Sequence, residues 1–102
     1  MDKYKIIVSE QAHSMLRSHL RFLGRVNKDA AKRLRVRVTE AIRSLEKMPK
    51  KYPFFEAEYI PPNKYHKLFV ENWFIILYQI KDDVVSIDYI IDCRKDYRWL
   101  AD

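Results

Sequence analysis

Few of the 102 residues are of types that carry chemistry, and their spacing removes most reactions at once. His13, His19, His66 and Cys93 lack the spacing of a metal site, so neither a metal nor a cofactor is expected. The one glycine, Gly24, excludes a glycine-rich phosphate loop. No serine sits in a nucleophile elbow. Cys93 follows an apolar run and reads as inert. His66 can give and take protons near neutral pH, and Lys64 and Lys67 flank it. Arg94 carries a permanent guanidinium charge, which can grip phosphate through two parallel hydrogen bonds. Tyr97 follows it by three residues. Lys50, Lys51, Lys95 and Arg98 are further cations able to contact phosphate.

The charge balance points the same way. The formal net charge is +6. From Lys28 to Lys51 nine bases stand against three acids, so this segment holds the whole excess. A basic balance favours nucleic acid, a ribosome or an acidic protein as partner. The bland alternative is a solvated helix face.

These groups must be positioned by a small scaffold. The length predicts one domain over residues 1–102, with apolar content sufficient for one core. A single cysteine forms no internal disulfide and favours a reducing compartment. Asp2 interrupts a would-be basic leader, and no apolar run reaches membrane-spanning length. A soluble cytoplasmic protein with no membrane partner is expected.

Tyr4 to Val8 predicts a strand, with Ser9 a good N-cap for the helix that follows. Ala12, Leu16, His19/Leu20, Leu23 and Val26 recur at helical spacing, with Met15 and Phe22 widening the stripe. Gly24 and Asn27 offer that helix an end. A second helix is predicted from about Lys28 to Met48, its stripe formed by Ala31, Leu34, Val38, Ala41/Ile42, Leu45 and Met48. Pro49 stops it. Pro49 to Asn63 reads as a proline-punctuated loop. Its aromatics Tyr52, Phe54, Phe55 and Tyr59 cover part of the core or stack on bases.

Three strands are predicted next: His66–Val70, Trp73–Ile80 and Val84–Ile91. Glu71-Asn72 and Lys81-Asp82-Asp83 are the turns between them. The second strand is almost continuously apolar, so both of its faces should be buried. Short connections make these neighbours antiparallel. Adjacent strand residues face opposite ways, so Lys67 should not share the face of His66. The fold class is α+β: two layers, an antiparallel β-meander packed on an αα-hairpin, in the order β-α-α-β-β-β. The far face of the sheet is expected to be partly open and concave.

That order, size and basic surface resemble the RelE/ParE superfamily of toxins from type II toxin–antitoxin systems, also called plasmid stabilisation proteins. Tyr4-Lys5-Ile6-Ile7-Val8-Ser9 resembles the family's first strand and helix cap. Ser44-Leu45-Glu46-Lys47-Met48-Pro49 resembles the end of its second helix. Tyr65 to Gln79 resembles its central hairpin, and Asp92-Cys93-Arg94-Lys95-Asp96-Tyr97 its C-terminal basic-aromatic motif. The resemblance implies an antitoxin that wraps the toxin. It also implies one of two actions: RelE-like members cut messenger RNA on the ribosome, and ParE-like members inhibit DNA gyrase without cleaving anything.

For the nuclease, the resemblance places Arg94 on phosphate, Tyr97 near the scissile site for stacking or proton handling, and His66 where relatives carry a catalytic lysine. Metal-free RNA cleavage needs a group to deprotonate the ribose hydroxyl, cations at the phosphate, and an acid for the leaving oxygen. Arg94 could equally pair with an antitoxin carboxylate, and Tyr97 could pack on the helices. Three positions depart from the family pattern. Leu68 and Ile75 replace a lysine and an arginine, and Asp96 replaces a histidine.

The leading expectation is therefore a ribosome-dependent messenger-RNA endonuclease acting through Arg94, Tyr97 and His66, with ribosome and messenger RNA as partners. The alternatives are a gyrase inhibitor, which is not an enzyme, and a nontoxic relative kept as a binding module. All three predict a cognate antitoxin.

Overall fold

The computed structural model describes residues 3–71 and 74–92. In chain order the elements are β1 (Lys5–Val8), α1 (Glu10–Val26), α2 (Lys28–Ser44), a 3-10 turn (Pro49–Lys51), β2 (His66–Val70), β3 (Phe74–Lys81) and β4 (Val84–Asp92). This is the expected α+β order.

The two helices start where their caps dictate. The Ser9 hydroxyl accepts from the Ala12 N–H at 3.0 Å and donates to the Asp88 carbonyl, so one side chain caps α1 and ties it to β4. Asn27 serves both helices. Its N–H closes on the Leu23 carbonyl at 2.8 Å, and its side chain accepts from the Ala30 N–H at 3.0 Å. A hairpin results with no spare linker residues. Gly24 lies inside α1 rather than at its end.

The second helix is shorter than its apolar spacing predicts. It ends at Ser44, and tighter three-residue bonds carry the chain through Leu45, Glu46 and Lys47. Met48 leaves the stripe and stands 61% exposed. Phe22 and Val26, expected on the stripe of α1, are also exposed.

The sheet has four strands in the order β1-β4-β3-β2. The last three strands form the predicted antiparallel meander. β1 adds to it beside β4 and parallel to it, from Lys5 opposite Val84 to Val8 opposite Ile87. Leu77 pairs Tyr89 while Tyr78 pairs Ile87, which leaves Asp88 as an extra bulged residue in β4. Among the described residues, no strand lies beside the outer edge of β4 beyond Ile87. There α1 supplies polar partners instead: Ser9 at the Asp88 carbonyl, and His19 with Nε2 3.0 Å from the Ile90 carbonyl.

The helix-side core consists of Leu68, Val70, Phe74, Ile76, Tyr78, Val85, Ile87 and Ile90 against Ala12, Leu34, Val38 and Leu45. The other sheet face is covered at its centre, while Ile7 and Phe69 stay exposed on its two edge strands. Ile75, Leu77 and Ile91 alternate with the helix-side residues and so face away from the helices. Phe55, Ile60 and Tyr65 bury them there. The middle of that face is thus covered by the chain's own proline-punctuated loop. The physical reason lies in β3 itself: each large apolar side chain left in water forgoes about 1.5–3 kcal/mol of burial. A strand apolar on both sides therefore draws a second cover.

Candidate functional site

His66 opens β2 opposite Tyr78, and the two side chains share the helix-side face. Its ring lies between two others. Tyr78 stacks at 5.2 Å and 15°, and Phe54 lies at 4.2 Å and 32°. Nδ1 is 2.7 Å from the Tyr52 carbonyl. A carbonyl can only accept, so Nδ1 carries the proton and a neutral ring keeps its lone pair on Nε2. Tyr78 is in turn held from below, its hydroxyl donating to the Pro49 carbonyl at 2.6 Å in the core. Burial, and next the neighbouring Tyr52, push the Tyr78 hydroxyl well above its ordinary pKa.

His66 lines an open groove of about 690 Å³ with Lys50, Lys64, Phe54, Gln79 and Asp82. Three sequence candidates therefore converge: His66, Lys50 and Lys64. Two turn residues shape the rim. Asn63 and Asp82 have φ of 61° and 57°, the left-handed region that short polar side chains tolerate. Gln79 and Asp82 were not foreseen as lining residues, and the Asp82 carboxylate brings negative charge where phosphate would sit.

The other cations are dispersed. Lys67 pairs with Leu77 and points to the opposite face, as alternation requires, with Nζ 5.8 Å from the centre of the Phe69 ring. Lys64 Nζ stands 5.4 Å over Tyr65. Lys51 Nζ stands 5.2 Å over Tyr52 and belongs to a separate pocket beside Lys3 and Lys47. Arg94, Lys95, Asp96, Tyr97 and Arg98 lie outside the described residues, as does Cys93.

Leu68 and Ile75, the strand positions where the resemblance expects cations, are 6% and 4% exposed. Each sits within one of the two apolar clusters. A charge at either place would be stranded without water.

A polar network under the loop was also unforeseen. The Tyr65 hydroxyl lies near the Asp88 carboxylate, and the Tyr65 ring meets that of Tyr89 edge-on at 5.9 Å. Gln79 Nε2 donates to the same carboxylate at 2.7 Å. Burial first, then the Asp88 charge, push the Tyr65 hydroxyl up to about 12. The bulge aims Asp88 into this cluster, and bulges leave only weak marks in a sequence. Among the described residues no group of three or more His, Cys, Asp or Glu could hold a metal, and no helix is long and apolar enough to cross a membrane.

Comparison with known proteins adds three findings. The family model described as the ParE toxin of the type II toxin–antitoxin system parDE matches residues 6–97. A solved structure titled as a chromosomal ParDE toxin–antitoxin system from P. aeruginosa is similar in fold, with a TM-score of 0.72. It is 15% identical in sequence, and the match covers 87% of this chain and 95% of that one. No curated protein matches.

Proposed function

The chain belongs to the ParE toxin family of type II toxin–antitoxin systems, and from that premise we propose that it arrests growth by binding DNA gyrase rather than by cutting RNA. The toxin is held in check by a cognate antitoxin, as the pairing named for its structural neighbour implies.

One observation carries the choice of binding over cleavage. Leu68 and Ile75 stand where RNA-cleaving relatives keep cations, and both are packed into apolar clusters. A nuclease must stabilise charge developing on phosphate. Here those two cations are gone, and the burial of their replacements leaves no room to restore them by a side-chain rotation. The centre of the far sheet face, where RNA would lie, is covered by Phe55, Ile60 and Tyr65.

The endonuclease reading retains one supporting observation, the shared groove of His66, Lys50 and Lys64. Arg94 and Tyr97 would have to complete it. Asp82 in the same groove opposes phosphate.

The deciding experiment adds the purified chain to purified gyrase and relaxed plasmid. Gyrase inhibition predicts loss of supercoiling at stoichiometric excess, with messages intact in arrested cells. Normal supercoiling, together with new 5′ ends inside codons by primer extension, would reverse the choice.

A further inference from the structure

At the corner where α2 gives way to the 3-10 turn, the chain leaves a second cavity, of about 890 Å³. Its lining combines two chemistries. Lys3, Lys47, Lys50 and Lys51 supply four ammonium groups, and among the described residues no carboxylate lines it. Among the described residues none of the four is in an ion pair. Between them lie Tyr4, Pro49 and the exposed side chain of Met48. The back wall is fixed, because the Tyr4 N–H donates to the Glu46 carbonyl at 2.8 Å and Pro49 is buried.

This corner lies apart from the His66 groove, sharing only Lys50 with it. An apolar floor is a poor phosphate site, since phosphate needs donors on every side it presents. A cationic rim is a poor site for a purely apolar ligand. The combination matches a protein segment that buries one apolar side chain and sets carboxylates on either side of it. Methionine suits such a floor, because its flexible thioether adapts to the shape of an inserted group.

We infer that this lysine-rimmed corner is a docking pocket for an acidic segment of a partner protein, anchored by one large apolar side chain on Tyr4, Met48 and Pro49. The inference rests on the toxin–antitoxin reading, because such a pair supplies the partner. The lysines guide the segment in and set its register, and the anchor carries most of the affinity.

The test uses the full chain and a short fluorescein-labelled peptide of Asp, Glu and Leu in alternation, followed by fluorescence polarisation. Two controls accompany it: the same peptide with Leu replaced by Ser, and a labelled single-stranded DNA oligonucleotide of equal charge. Saturable binding of the Leu peptide is expected, weakened roughly tenfold or more for the Ser peptide, as for loss of a buried anchor. Met48→Ser and Lys47→Glu should each weaken the Leu peptide several-fold. Both residues are exposed, so the thermal melt should not change. Binding that ignores both substitutions, or equal binding of the Leu and Ser peptides, overturns the pocket. Absence of saturable binding does the same. Tighter binding of the oligonucleotide, lost with Lys47→Glu, would make the corner a nucleic-acid surface instead. Gyrase supercoiling is measured in parallel. Its indifference to the chain would remove the proposed target and leave the peptide result standing.

Discussion

Arg37 on α2 reaches across to Glu71 at the tip of the first hairpin, with Nε 3.0 Å from the carboxylate. Glu71 makes this contact from a left-handed backbone, φ 55°, which costs a non-glycine residue about 1–2 kcal/mol. The pair is partly exposed, so it returns no more than about 1 kcal/mol. The two effects therefore nearly cancel. Glu71→Gly should be close to neutral in the native background. With Arg37→Ala already present it should stabilise by about 0.5–1 kcal/mol, because only the strain remains to be relieved. Urea unfolding of the four chains measures this, and destabilisation in both backgrounds would refute it.

The Tyr78 hydroxyl and the Pro49 carbonyl form a hydrogen bond in the core. Tyr78→Phe leaves that carbonyl buried without a partner, at a cost of about 1–3 kcal/mol. A fall in the urea midpoint with an unchanged denaturant slope is expected. A variant as stable as the parent would mean that the carbonyl finds another donor.

Tyr65 makes the fold sensitive to alkali. An unfolded tyrosine ionises near 10, and folded Tyr65 holds its proton to about 12. Below pH 10 both states are neutral there and the full stability is present. Between pH 10 and 12 the unfolded chain gives up a proton that the folded chain keeps, so stability falls, by up to about 1.4 kcal/mol per pH unit. Tyr78 acts in the same direction. Urea midpoints taken from pH 9 to 12 should decline less steeply for Tyr65→Phe. Parallel declines in the two chains would remove Tyr65 as a cause.

His66 separates structure from catalysis. His66→Phe preserves the stack between Phe54 and Tyr78 but loses the contact to the Tyr52 carbonyl. About 1 kcal/mol of stability should go with that hydrogen bond, while growth arrest persists. Arrest abolished at unchanged stability would return the imidazole to chemistry and favour the endonuclease.

Much of this architecture was written in local patterns. Ser9 announced the first helix, and the spacing of Leu34, Val38 and Leu45 announced the second. Short charged turns dictated the antiparallel meander. The extent of α2 was less legible. Met48 continues the apolar spacing, and Pro49 only bounds the helix from beyond, so nothing local marks Ser44 as its last residue.

The covered centre of the far sheet face was legible in β3, whose almost continuous apolar run required burial on both sides. A partly open far face is compatible with that requirement only away from β3, and there Ile7 and Phe69 remain exposed. The candidate site was harder to read. Residue types found His66, Lys50 and Lys64, and alternation turned Lys67 away. Gln79 and Asp82 join them only through the register of β3 and its turn, which depends on contacts distant in sequence. The Tyr65 network likewise depends on a bulge at Asp88 that no single residue declares.

The parallel pairing of β1 with β4 ties completion of the sheet to the synthesis of its last strand. Ser9 waits for a carbonyl 79 residues downstream, and β1 has no sheet to join until β4 exists. A ribosome making this chain therefore carries an unfinished sheet until β4 has emerged. Such distant closure is slow as folding goes.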